Sequence, residues 1–435
     1  MALFCIFMLL AISTLVSAYY EPDHLTSFPN SEIVLDMVVL SDAVYYLRNK
    51  ISSCNDPQAS NPTIISLARQ ELLSTDDLEN TNPVKQQQRR LLKNSGEPQN
   101  IFDLLLPEGI TCLHYSHDYD LGTQVLIVRS SLHHYVSVVY AGTDDFTTAL
   151  MDGDILMGNF GPSAANSTSS GDGFTKSKSY IDKLFEQVPA EAHVHRGFNS
   201  VVFDNDNFSS VLECVTSARL GGQCEDTRRE EGTPLDTTFP VGLGRKPYQI
   251  YTSGHSLGAA DSVLLGAALH LAFPKETIQS VNFGCPKIGN VEWSYWINSL
   301  RPGQIIANDG GSFEVFRFVN KIDLVPRLPE LVFQHAGHTV QMSAGGVIRA
   351  YYNHWGDGNL GYAGIPFGWG EEPYIFIPGA LIAHNHQHYV EYLKDYAPLL
   401  NATTKEKENM YFVREFERSD ENDATESLTP GITSV

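Results

Sequence analysis

The chain has 435 residues, 42% of them hydrophobic and 18% charged, enough apolar material for a large core and too much for a disordered chain. Its 51 Asp and Glu outnumber 29 Lys and Arg, giving a net charge of −22. That balance excludes nucleic acid as a partner, because neutralising phosphates needs a basic face, but it leaves hydrophobic adsorption to a neutral interface open.

Residues 2–16 form an almost unbroken apolar run that ends in Val16-Ser17-Ala18, the small-x-small pattern of a signal-peptidase site. Residues 1–18 therefore read as a signal peptide, and the expected location is extracellular. No later segment has the roughly 20 apolar residues a membrane span needs. Sequons at Asn166, Asn207 and Asn401 agree with the secretory route. Cys5 leaves with the signal. From spacing, Cys54 is expected to pair with Cys112 and Cys214 with Cys224, leaving Cys285 as a buried free thiol.

The expected domain spans residues 19–400. Composition marks 58–100, 160–175 and 215–246 as surface insertions and 401–435 as an acidic tail. Between them, residues 123–129 and 135–140 are β-branched and aromatic with a short break, a hairpin pattern. Residues 180–185 and 197–212 have helical spacing. A strand at 248–253, a helix at 257–273 and a strand at 278–283 follow. A strand at 315–319 and a last helix from about 388 to 396 complete the series. Such alternation predicts an α/β architecture, a mostly parallel sheet covered on both faces.

Gly254-His255-Ser256-Leu257-Gly258 carries the chemistry. It matches the nucleophile elbow, with a buried strand before it and a small-residue helix after it. A serine on so sharp a turn needs neighbours without bulk, which Gly254, Gly258, Ala259 and Ala260 provide. The helix N-terminus turns N–H groups towards developing negative charge. A serine nucleophile further needs a histidine base and a carboxylate to orient it.

Four more motifs stand in order around the elbow. They are Val138 to Thr143, His195-Arg196-Gly197-Phe198, Asn282 to Asn290 (NFGCPKIGN) and Phe318 to Pro329 (FVNKIDLVPRLP). With these the chain, over roughly residues 110–395, resembles the class 3, fungal-type lipases of the α/β-hydrolase fold. It departs from them at Ala141, where the family usually has arginine. The resemblance implies a secreted serine carboxylic-ester hydrolase, foremost a triacylglycerol lipase, with a phospholipase or a cell-wall esterase as the alternative and an inactive lipid-binding protein as the remote one. Lipid or ester at a lipid–water interface is the implied partner, with no cofactor and no metal.

Ser256 is the expected nucleophile and Asp323 the expected triad carboxylate, with Asp309 its competitor in an ordinary turn. The N–H groups of Leu257 and Thr143 are the expected oxyanion hole. Family members place the base three residues before an aromatic, which selects His386 by its spacing to Tyr389; His384, five residues before that tyrosine, is the alternative. His255 is assigned to packing, His195 to a structural hydrogen bond with the core and His335 to structure. Residues 144–158, an apolar set broken by Asp152 and Asp154, correspond to the family's lid.

Overall fold

The computed structural model describes residues 29–48, 50–74, 98–118, 123–142, 156–162, 175–204, 207–224, 246–302, 310–320, 323–329, 332–343, 347–351 and 382–400. The expected signal peptide, the sequons at Asn166 and Asn401 and the acidic tail fall outside them, as does all of the expected lid before Leu156. Among the described residues no helix is long and apolar enough to cross a membrane.

Eight strands form one sheet. In chain order they are β1 (Ile110–Asp118), β2 (Thr123–Ser130), β3 (Tyr135–Tyr140), β6 (Gln249–His255), β7 (Thr277–Phe283), β8 (Ser312–Asn320), β9 (His338–Ser343) and β10 (Val347–Tyr351), and their spatial order is the same. A separate antiparallel pair joins β4 (Met157–Asn159) to β5 (His193–His195). The centre of the sheet, β3-β6-β7-β8-β9, is parallel, and β1, β2 and β10 are antiparallel edges. This is the mostly parallel α/β sheet, covered on both faces, that the strand–helix alternation predicted. The β2–β3 hairpin is present, closed by a turn in which His134 takes a φ of 57°.

Alternation along each central strand feeds two cores. Val136, Val138 and Tyr140 point to one face, and Tyr135 and Val139 to the other. The first face is covered by helix α5 (Arg196–Phe203), helix α6 (Asn207–Arg219) and helix α7 (Leu257–Ala272), with helix α8 (Val291–Ser299) beside them. Every residue of α7 is buried, so a helix that is apolar and small on all sides serves as the central strut.

The opposite face is covered by helix α1 (Ser31–Leu47) and helix α9 (His386–Leu400), with the short helix α3 (Ile101–Leu105) alongside. The sequence reading assigned no element to residues 31–47. Asn30 caps α1 by accepting from the Glu32 N–H at 3.0 Å, and Val34, Met37, Leu40, Val44 and Leu47 are fully buried beneath it. Each such side chain contributes about 1.5–3 kcal/mol on leaving water.

Several expected boundaries shift. The helical stretch 197–212 is two helices, α5 and α6, because Asp204 ends the first in extended backbone. Of the expected insertion 58–100, Pro62–Ser74 forms helix α2, which buries Ile65 and Ala68; its polar residues form the outer face of a packed helix. Phe160, placed in the 160–175 insertion, is in the core, with its ring 4.7 Å from that of Trp293. Val215, Thr216, Ala218 and Arg219, placed in the 215–246 insertion, are the buried last turn of α6. In each case a local excess of polar residues masked an amphipathic period. The expected disulfides Cys54–Cys112 and Cys214–Cys224 are both formed, and Cys285 is a buried free thiol that burial pushes up to about 12.

Candidate active site

Strand β6 runs straight into α7, and Ser256 is the residue at the corner. It holds φ 61°, ψ −131°, a conformation in which a side chain is strained and which the surrounding packing must impose. The corner is crowded: a Cβ on Gly254 would stand 2.3 Å from the Gly258 carbonyl oxygen, and one on Gly258 would stand 2.5 Å from that of Tyr140. The Ser256 N–H donates to the Phe283 carbonyl at 3.0 Å, tying the corner to the end of β7. Leu257, the first residue of α7, follows directly.

Asp323 lies just beyond β8 and is fully buried. Its Oδ1 accepts from the Val325 N–H at 2.8 Å. Its Oδ2 accepts from the Tyr389 hydroxyl at 2.5 Å and from His384 Nδ1 at 2.8 Å. The other ring nitrogen of His384, Nε2, is 2.7 Å from Ser256 Oγ. Because the carboxylate accepts, the His384 proton sits on Nδ1 and leaves Nε2 to receive the serine hydroxyl. Serine, imidazole and carboxylate therefore form one hydrogen-bonded chain, the arrangement in which a serine hydroxyl can lose its proton as it attacks.

His384, and not the expected His386, occupies this position. A 3₁₀ turn, Ile382–His384, delivers His384 to the end of the sheet, whereas His386 is already the first residue of α9. The side chain of His386 packs on α1: its Nδ1 bonds Asp42, and its ring stacks on Tyr45 with centroids 4.5 Å apart and planes 7° from parallel. His388 lies 3.5 Å from Glu391 on its own helix. The three histidines of the run thus face three different partners.

The aromatic that marked the register has a role of its own. The Tyr389 hydroxyl also accepts from the Asn320 N–H at 3.0 Å, clamping the strand end that leads to Asp323. Burial and then the nearby Asp323 charge push the phenol well above its ordinary range, so it stays a donor. Gly284, which begins the turn after β7, has φ 61°; a Cβ there would stand 2.9 Å from His384 Cε1 and 3.1 Å from Asp323 Oδ2. The glycine in the FGCP motif gives the histidine its room.

Other expectations sort as follows. His335 is buried, with Nε2 bonding the Pro326 carbonyl, and His195 stacks on Phe198 at the start of α5. His255 is directed away from Ser256 Oγ: its Nδ1 is 3.0 Å from the Tyr45 hydroxyl. Burial, and then the neighbouring imidazoles of His384 and His386, hold it well below the usual histidine range and hence neutral. Thr143 and Asp309 lie outside the described residues. Gly142, just before Thr143, closes on the nucleophile, where a Cβ would stand 2.8 Å from Ser256 Cβ. Sequence reasoning missed Tyr45 and Asp42 of α1, which no motif marked. It used Tyr389 only as a ruler.

Residues 138–333 match the family model of the class 3 lipases. That stretch contains Thr143, Ser256, Leu257 and Asp323 and ends before His384. Similar solved structures include a triacylglycerol lipase from Penicillium expansum, 18% identical over 54% of this chain and 70% of that one with a TM-score of 0.37. They also include lipase II from Rhizopus niveus (21%, 54% and 66%, 0.34) and the Lip2 lipase from Yarrowia lipolytica (19%, 55% and 68%, 0.37). No curated protein matches the chain.

Proposed function

We propose that the chain is a class 3 lipase, a carboxylic-ester hydrolase of the α/β-hydrolase fold, and more narrowly a secreted triacylglycerol lipase working through Ser256, His384 and Asp323; the match of residues 138–333 to that family's model supports the reading. The observation that carries this reading is the unbroken chain of 2.7 Å and 2.8 Å bonds from Ser256 through His384 to Asp323. Ser256 Oγ attacks the ester carbonyl as its proton passes to His384 Nε2, and Asp323 stabilises the imidazolium that forms. The tetrahedral oxyanion is received by the N–H groups of Leu257 and Thr143 at the mouth of α7. Collapse of the intermediate expels the alcohol, which takes the proton from His384, and leaves an acyl group on Ser256. Water, deprotonated by the same histidine, then releases the fatty acid.

Two disulfides support the extracellular half of the proposal, since such bonds persist where the medium is oxidising. Residues 144–158 are proposed as the cover of the site, and Leu156, its described end, is 50% exposed apolar surface of the kind lipid can cover. The test is a fluorophosphonate probe together with a substrate panel. Labelling should fall on Ser256 and vanish in Ser256→Ala. Emulsified long-chain triacylglycerol should be hydrolysed faster than phospholipid or a feruloyl ester. Labelling of wild type without turnover of any ester would reject the lipase reading, and preference for phospholipid or feruloyl ester would reassign the substrate.

A further inference from the structure

Behind the nucleophile, on the face away from α7, α1 brings a second cluster of side chains to the site. The Tyr45 hydroxyl accepts from the Gly142 N–H at 3.0 Å and lies 3.0 Å from His255 Nδ1 and 3.5 Å from the His255 carbonyl oxygen. Gly142 is the last described residue of the strand exit that leads to Thr143, and His255 directly precedes Ser256. One phenol oxygen therefore joins the two backbone segments that the proposed oxyanion hole must hold in register.

The oxygen is itself held. The Tyr45 ring is sandwiched against His386, whose Nδ1 is bonded to Asp42 one helical turn before Tyr45. On the residue before Asp42, Ser41 Oγ lies 2.9 Å from Ser253 Oγ, which donates to the Val281 carbonyl at 2.7 Å, fixing α1 to β6 and β7. Gly142 offers a donor, so Tyr45 Oη accepts there and has its own proton to give. A buried, neutral His255 meets that hydroxyl with both Nδ1 and its carbonyl oxygen, which accepts at 3.5 Å. Space permits no substitute at the junction, since a Cβ on Gly142 would stand 2.5 Å from Tyr45 Oη and 2.8 Å from the His255 carbonyl oxygen.

We propose that Tyr45 is a positioning residue of this hydrolase, setting the distance between the oxyanion strand and the nucleophile corner, and that the Asp42–His386 pair exists to hold its ring. The inference rests on the serine-hydrolase reading above. Tyr45 touches no reacting atom. Its contribution is made when charge develops on the oxyanion, because a donor displaced by a fraction of an ångström serves the transition state worse than the bound ester.

Tyr45→Phe keeps the ring and its stack while removing the hydroxyl. On a soluble ester such as p-nitrophenyl butyrate, kcat should fall about 10- to 100-fold with KM within about twofold. Affinity for phenylboronic acid, whose tetrahedral adduct on Ser256 presents oxygen to the same donors, should fall by about the same factor as kcat. A purely structural tyrosine would lower thermal stability and the titratable fraction of sites without that parallel loss. Unchanged kcat per labelled site, or a boronate affinity that stays at wild type while kcat falls, overturns the proposal. If Tyr45→Phe does not fold, Asp42→Asn, which loosens the clamp and spares the hydroxyl, should lower kcat and boronate affinity together; an unchanged ratio of both to wild type overturns it. Failure of the lipase reading is distinguishable, because wild type would then hydrolyse no ester at all.

Discussion

Replacing His384 by alanine should nearly abolish hydrolysis, and replacing His386 should not. In His384→Ala the serine loses the one imidazole at 2.7 Å from its hydroxyl, and no other described side chain is placed to take over. His255 is the nearest imidazole, with its ring 4.6 Å from that of His384, but its Nδ1 is engaged by Tyr45 and it is directed away from Oγ. Loss of a triad base costs on the order of 10⁶ in turnover, roughly 8 kcal/mol of transition-state stabilisation. In His386→Ala the proton path is intact. Asp42, 13% exposed, loses a charge-assisted bond worth about 1.5–3 kcal/mol and Tyr45 loses its stack. Thermal stability should therefore drop by a few degrees while kcat stays within about tenfold of wild type. Initial rates on p-nitrophenyl butyrate, normalised by the concentration of folded protein, separate the two outcomes. The double variant Ser256→Ala/His384→Ala should be no slower than Ser256→Ala, since the pair acts as a unit. A dead His386→Ala beside an active His384→Ala would refute the assignment.

Gly284→Ala should lower turnover about 100-fold by pushing His384 off its line, because the new Cβ meets the ring at 2.9 Å and the backbone holds φ 61°; rates and melting temperature check it. Asp36 is pushed up to about 6, chiefly by burial, so its folded-state pKa lies above its unfolded value. Its neutral form favours folding below about pH 4, and that contribution is lost as pH rises through about 6; Asp36→Asn should accordingly stabilise the protein above pH 7, by up to about 3 kcal/mol, and make no such gain at pH 4, measured by denaturant titration. Removing the Cys54–Cys112 bridge, which spans a sequence separation of 58, by the double Cys→Ser variant should cost about 4 kcal/mol, and equal midpoints for both proteins in urea would contradict it.

The legible parts of the chain were those where one requirement acts locally. The elbow is such a case: a strained serine needs small neighbours within two residues, and Gly254, Gly258 and Ala259 record that need in the sequence itself. Asp323 was marked by its place after a strand in the FVNKIDLVPRLP segment, which resembles the family's, and the structure sets its carboxylate against His384. The histidine was not. His384 and His386 differ by two positions in a polar loop, and what separates them is the point at which α9 begins, decided by packing on α1. Helix α1 left no mark because it is apolar on nearly every side, burying against both the sheet and α9, so no amphipathic stripe could declare it. The polar stretches misassigned as insertions show the converse, since the surfaces of α2 and α6 look like loops until the buried Ile65, Ala68 and Val215 are aligned.

The distances along the chain between these partners have a consequence for how the enzyme comes into being. Ser256 and His384 are 128 positions apart, and Asp42 and His386 are 344 apart. At a ribosomal rate of about 5–20 residues per second, the serine emerges of the order of ten seconds before its base. Closing so long a loop is entropically costly and comes late, after the central strands have paired. On the reading proposed above, the hydroxyl of Ser256 has no base beside it until His384 has been synthesised and docked, so ester hydrolysis is expected to appear late in folding.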